Sequence, residues 1–231
     1  MIRAVIFDMF ETLVTFFESP IYFGAQIAKD AGIPAENFNA LWRPTEHARS
    51  IGEMTLEQTL EMILRENHCY SEKLLEEIVA KRVASKQDCF RHIHSDIIPM
   101  FKELKEKGIL IGLISNCYSE EVEAIRNSDL FPYFDAVYLS YEQGVWKPDE
   151  EIFRRCMKKL SVSAEECLYI GDGGSCELET ARKLGMTALQ AVWYFKDEFS
   201  HLAERQPDFI QLDAPMEVLK YLTENQDVGE D

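Results

Sequence analysis

The segment Ala4-Val5-Ile6-Phe7-Asp8-Met9-Phe10-Glu11-Thr12-Leu13 decides the fold. Four apolar residues in succession, with no polar alternation, read as a strand buried on both faces, and such strands belong to parallel sheets covered by helices. Open α/β sheets bind ligands beyond the carboxyl ends of their strands. Asp8, delivered there by the apolar run, is therefore the first candidate for chemistry.

Working outward, further short apolar runs predict strands over residues 110–114, 136–139 and 167–170, with a fifth over 187–192 and a sixth over 209–212. A helical pattern over 97–107 stops at Gly108 and another over 177–184 stops at Gly185, each glycine suiting the left-handed position after a helix. Ser163 and Glu166 have the spacing of a capping box for a single turn before the strand at 167. From about residue 97 onward, strand and helix alternate. That pattern predicts an α/β fold with a doubly wound, mostly parallel sheet and right-handed crossovers.

Residues 16–90 break the alternation. They contain no convincing strand but several amphipathic helical patterns: 21–31 closing at Gly32, 38–50 ending near Gly52, a helix capped by Thr55 with Gln58, and one started by Ser71 with a Leu74, Leu75, Ile78, Val83 stripe. The expected organisation is a core domain of residues 1–15 and 91–231, with a helical bundle of residues 16–90 inserted directly after Asp8 as a lid. The acidic end, residues 225–231, reads as frayed.

Composition limits the partners. With 231 residues and 46% hydrophobic content the chain can bury a sizeable core, and its net charge of -17 opposes nucleic acid and anionic lipid. A small anionic substrate stays compatible with that charge, because screening over about 8 Å makes the local site decisive. The six cysteines are scattered with no CxxC pair, which predicts reduced thiols and no zinc site. The five histidines show no metal-ligand spacing beyond the short His92/His94 pair. No run of about 18 apolar residues occurs and the chain enters its first strand directly, so a cytoplasmic location away from membranes is expected.

Four segments in order, each at the end of a predicted strand, carry a family resemblance: Asp8-Met9-Phe10-Glu11-Thr12-Leu13, Leu113-Ile114-Ser115-Asn116, the lysine of Trp146-Lys147-Pro148, and Gly171-Asp172-Gly173-Gly174-Ser175-Cys176-Glu177. The chain resembles the haloacid dehalogenase superfamily of hydrolases with a helical cap after the first strand. The resemblance implies that Asp8 is a nucleophile forming a covalent aspartyl intermediate, and that Ser115 and Asn116 hold oxygens of the transferring group or a substrate carboxylate. It implies that Lys147 neutralises the carboxylates and the substrate. It also implies a Mg²⁺ site made by Asp8, Asp172 and the backbone carbonyl of Phe10, with Glu177 orienting a metal-bound water or Lys147. Read without the resemblance, Glu177 is a solvated acid at a helix N-terminus.

Phe10 departs from the phosphatase pattern, which has at that position an aspartate that protonates the leaving oxygen and then deprotonates water. Three readings stay open. One is a Mg²⁺-dependent phosphatase for activated leaving groups, or one borrowing Glu11 or a cap residue as acid. Another is a dehalogenase-like C–X hydrolase, or a phosphonate-cleaving variant using Lys29, Lys73 or Lys81 as a Schiff base. The third is a metabolite-binding or regulatory protein with little turnover. Phe16, Phe17, Tyr22, Phe23, Trp42 and Arg43 are the residues of the insert expected near its opening, either as bundle core or as substrate contacts, with Arg43 before Pro44 the candidate cation.

Overall fold

The computed structural model describes residues 1–196 and 204–226; His201 and the acidic end from residue 227 lie outside the described residues. Six strands form one sheet in the order β3-β2-β1-β4-β5-β6. They are β1 (Ala4–Phe7), β2 (Leu110–Ser115), β3 (Ala136–Leu139), β4 (Cys167–Gly171), β5 (Thr187–Ala191) and β6 (Ile210–Leu212), and every neighbouring pair is parallel. All six expected runs are strands, and β2 extends one residue further than expected, so that Ser115 is its last residue. β1 lies between β2 and β4, with Phe7 opposite Leu113 on one side and Ile170 on the other. The winding reverses there, which makes the carboxyl edge of β1 the crevice where such sheets bind ligands.

Both faces of the sheet are covered, which is why β1 is apolar throughout. On one face pack α6 (Ile97–Glu106), α7 (Ser119–Arg126) and α11 (Glu217–Gln226), through residues such as Met100, Phe101, Ile125 and Leu219. Against the other lie α9 (Glu150–Leu160) and α10 (Glu177–Leu184), through Ile152, Phe153, Leu178 and Ala181. Gly108 and Gly185 take the expected positive φ of 72° and 98°. Ser163 and Glu166 form their capping box over a single turn, residues Ala164–Glu166, before β4.

Between β1 and α6 the chain forms five helices: α1 (Gly24–Ala31), α2 (Ala35–Trp42), α3 (Glu46–Ser50), α4 (Leu56–Glu66) and α5 (Glu72–Asp88). They share a cluster of their own, with Ile27, Phe38, Leu60, Ile63 and Ile78 buried within it. The Thr55/Gln58 box and the Ser71 cap form as the sequence indicates. Two expectations are corrected. The helix expected over 38–50 is two helices separated by a tight turn at Arg43–Thr45, because Pro44 has no amide to donate to the helical ladder. The buried face of α5 is not the full leucine stripe but Ile78, Arg82 and Lys86, since α5 packs against the acidic first turn of α7.

A short helix, α8 (Ser140–Gln143), follows β3 and meets α3. Ser140 Oγ lies 3.0 Å from Ser50 Oγ and 2.8 Å from the Ser50 carbonyl, and also accepts from the Cys117 amide at 2.9 Å. One hydroxyl thus ties the insert to the loops at the carboxyl edge of the sheet.

Candidate functional site

Asp8 follows directly on β1. Its amide donates to the Ile170 carbonyl at 2.9 Å, continuing the β1–β4 pairing by one residue and fixing the backbone from which the carboxylate projects. Oδ1 accepts from the Met9 amide at 2.7 Å, and Lys147 Nζ lies 2.6 Å away in an ion pair. The following loop is pinned from behind: Trp193 Nε1 donates to the Thr12 carbonyl at 2.8 Å, and Glu11 takes a left-handed φ of 57°.

Lys147 reaches Asp8 from the β3–α9 connection and is fully buried. Asn116 holds that connection with both ends of its amide, Oδ1 accepting from the Lys147 amide at 2.7 Å and Nδ2 donating to the Lys147 carbonyl at 2.9 Å. Both ends of the Asn116 side chain are thus engaged in positioning the lysine, while the residue also borders the cavity. Ser115, at the end of β2, is fully buried, and among the described residues its hydroxyl donates only to the adjacent Asn116 carbonyl at a long 3.3 Å.

Asp172 follows β4, the neighbour of β1, so parallel pairing brings the two aspartates together. Glu177 begins α10 and is completely buried, which overturns the solvated reading. Its carboxylate accepts from the Gly173 amide (2.7 Å, Oε1) and the Ser175 amide (2.7 Å, Oε2), closing the loop after β4 over itself. The Glu177 side chain lies so close to β4 that a Cβ on Gly171 would sit 2.7 Å from its Oε1. Glycine is required there.

Asp8, Asp172 and Glu177 each bring a carboxylate oxygen within 4.8 Å of the others. Burial pushes the Asp172 carboxyl well above its ordinary range, and Glu177 and Asp8 push it further. Burial also raises Asp8, partly offset by Lys147. For Lys147, burial opposes the charge, but Asp8, Glu177 and Asp172 prevail and hold its pKa above the ordinary lysine value. Fully ionised, three buried acids against one buried lysine would carry excess negative charge, a state the low-dielectric site disfavours unless a cation compensates it. A hard divalent cation with oxygen ligands fits this donor set.

Above these groups lies a cavity of 640 Å³ bordered by Asn116, Lys147, Ser175, Phe10, Phe16, Phe23, Trp42, Arg49, Arg82, Lys86, Tyr118 and Trp146, among others. The Phe10 ring packs into the insert, stacking on Phe16 at 4.6 Å and meeting Phe90 edge-on at 6.4 Å. Glu11 does not border the cavity. Its Oε2 accepts from Thr15 Oγ1 at 2.7 Å and its Oε1 from the Phe16 amide at 2.9 Å, so the carboxylate is spent on the loop.

The insert's cations also differ from expectation. Arg43 is exposed and outside the cavity wall, because the turn at Pro44 rotates it outward. Lys29, Lys73 and Lys81 are exposed, and Lys81 pairs with Asp30 at 2.6 Å, so none is placed for Schiff-base chemistry in the cavity. The buried cations are Arg49, Arg82 and Lys86, which sequence reasoning missed. Arg82 pairs with Glu120 at 3.0 Å and Lys86 with Glu121 at 2.6 Å, joining α5 to α7. The i, i+4 spacing of two bases on α5 and the adjacent acids opening α7 were the available signal.

A crevice at the winding reversal, with an aspartate after β1, a serine ending β2, a lysine after β3 and an acidic loop after β4, defines a hydrolase built around a carboxylate. The chain matches the model of the haloacid dehalogenase-like hydrolase family over residues 2–185 and belongs to that family. It is 26% identical over 243 residues to a glyceraldehyde 3-phosphate phosphatase of Methanopyrus kandleri, covering 97% of this chain and 98% of that one. Among solved structures it is similar to a 2-haloacid dehalogenase from Pseudomonas syringae (TM-score 0.68, 21% identity, 97% and 99% of the two chains). It is also similar to a HAD-family enzyme from Bacteroides thetaiotaomicron solved as its magnesium complex (TM-score 0.63, 19% identity, 82% and 92%). No helix among the described residues is long and apolar enough to cross a membrane.

Proposed function

We infer that the protein is a Mg²⁺-dependent phosphatase acting on a small phosphorylated metabolite through an aspartyl-phosphate on Asp8. The observation that carries this reading is the cluster of Asp8, Asp172 and Glu177 within 4.8 Å, whose charge Lys147 alone does not balance. A hydrolase expelling halide needs no such acidic excess. The metal would be held by Asp8, Asp172 and the Phe10 carbonyl, with Glu177 orienting groups around it. When bound, it neutralises charge on the transferring phosphoryl group.

The Asp8 carboxylate attacks phosphorus, the bond to the leaving oxygen breaks with its electron pair on that oxygen, and water then releases phosphate from Asp8. Lys147 keeps the carboxylate ionised and offsets the incoming dianion, while Ser115 supplies a hydroxyl for a phosphoryl oxygen. Residues 16–90 act as the cap that excludes water and selects substrate.

Phe10 cannot donate a proton, and general acid assistance is worth about 10²–10⁴-fold. The preferred substrates are therefore acyl or aryl phosphates, whose leaving groups depart as stable anions. Phe10→Asp should raise turnover of an alkyl phosphate such as glycerol 1-phosphate by at least about tenfold, with little gain on p-nitrophenyl phosphate. A folded variant with no gain on the alkyl ester would refute the missing-acid argument. The class of reaction is tested by supplying p-nitrophenyl phosphate, acetyl phosphate and 2-chloropropionate in Mg²⁺ or EDTA. Phosphate release confined to Mg²⁺ supports the reading, whereas binding with no turnover of any of them would favour a regulatory protein.

A further inference from the structure

Arg49 is 2% exposed, borders the cavity, and lies over two rings: its guanidinium carbon is 3.8 Å from the Trp42 ring centroid and 4.5 Å from that of Tyr118. Nε donates to Thr45 Oγ1 at 3.1 Å. Nη1 is enclosed with no acceptor among the described residues, and Arg49 takes part in no ion pair there. Arg82 and Lys86, its neighbours in the cavity wall, are each neutralised by a glutamate. Glu46 and Glu120 approach closely enough to support the Arg49 charge, but neither contacts it, and burial pulls its pKa below the ordinary arginine value. A buried cation with an unused donor, packed over two aromatic rings, is a group prepared for an external acceptor.

We propose that Arg49 binds a carboxylate of the substrate, so that the substrate is a phosphorylated carboxylic acid with its phosphoryl group at Asp8 and its carboxylate at Arg49. The inference rests on the phosphatase reading for the first half of that geometry only. A carboxylate is favoured over a second phosphate because it brings one negative charge, matched by the one buried cation of this wall that no acid already pairs, and because its planar oxygens suit the guanidinium. The body between the two anions is apolar, since Phe16, Phe23, Trp42 and Trp146 line the space around them.

The test compares 4-carboxyphenyl phosphate with phenyl phosphate, whose leaving groups both depart as phenolates, using the full chain in Mg²⁺. Wild type should show a KM at least about tenfold lower for the carboxylated ester. Arg49→Met should raise that KM by about 10- to 100-fold while changing the KM for phenyl phosphate less than threefold, and Arg49→Lys should fall between. Arg43→Ala, on the exposed side of the turn, should behave as wild type. Equal loss on both esters in Arg49→Met and Arg49→Lys would overturn the proposal by reducing Arg49 to a packing role. Should neither ester release phosphate, calorimetric binding of the same two compounds separates the questions. An Arg49-dependent preference for the carboxylated compound sustains the proposal while the phosphatase reading fails; no preference defeats it.

Discussion

Asp8→Asn should lower phosphate release from acetyl phosphate by at least about 10³-fold while leaving the chain folded. Asparagine preserves the shape and the contact from the Met9 amide, but its amide is no nucleophile at neutral pH and offers Lys147 no charge. The same substitution should leave the melting temperature of metal-free protein unchanged or higher. Asp8 sits against Glu177 and Asp172 in a site where burial already raises the pKa of both aspartates, and those two remaining acids still support the Lys147 charge, so one fewer negative charge relieves repulsion without stranding the lysine. Catalytic loss together with unfolding would instead make Asp8 a structural residue. Steady-state phosphate release and a thermal melt on the same preparation decide between these outcomes.

The largest effect on stability is expected at Lys86. Lys86→Met should cost about 3–5 kcal/mol, because it strands Glu121 as a buried, unpaired charge between α5 and α7. At about 2–4 °C per kcal/mol for a chain of this size, the melt should fall by roughly 6–20 °C. The double variant Lys86→Met with Glu121→Leu should recover most of that loss, since an apolar pair of similar volume avoids both desolvation costs. The pH dependence has a definite sign. Burial pushes the Lys86 pKa down to about 8 from 10.5, so between those values the unfolded chain binds more protons and stability rises with pH. The increment is up to about 3 kcal/mol and should be missing from the double variant. Urea unfolding of both proteins at pH 7.5 and pH 10 measures it. A single variant as stable as wild type would show that the pair carries no weight in joining the insert to the core.

How much of this was legible in the sequence follows from where each signal is encoded. The sheet was readable because a strand buried on two faces must be apolar throughout, as β1 and β4 are. The placement of Asp8, Ser115 and Asp172 follows from parallel pairing, which aligns strand ends without reference to side chains. Glu177 looked ambiguous because a helix-opening glutamate is usually solvated; its packing on Gly171 and its bonds to the Gly173 and Ser175 amides are not visible in the local sequence. The turn at Pro44 divides the 38–50 pattern, and the rotation of the chain there has no local signal, so Arg43 was named where Arg49 faces the cavity. Arg82 and Lys86 were missed because bases on a helix read as a solvated face. Their partners, Glu120 and Glu121, lie about forty residues away, and nothing local announces the match.

Phe10 shows the same division between local and distant encoding. Its type was plain from the sequence and argued against proton transfer, but its partners were not. Stacked on Phe16, with Lys86 Nζ 3.5 Å from the centre of the Phe16 ring, it belongs to the aromatic floor of the insert. The aromatic that follows the Asp8 turn is also part of the seat on which the insert rests.

The most direct test of the central claim is rapid acid quenching of the protein with acetyl phosphate, followed by mass spectrometry of the peptide carrying Asp8. A phosphoryl adduct on Asp8 that forms in Mg²⁺, is missing in EDTA and is missing in Asp8→Asn is the predicted result. Absence of the adduct in Mg²⁺, together with EDTA-insensitive chloride release from 2-chloropropionate, would contradict it.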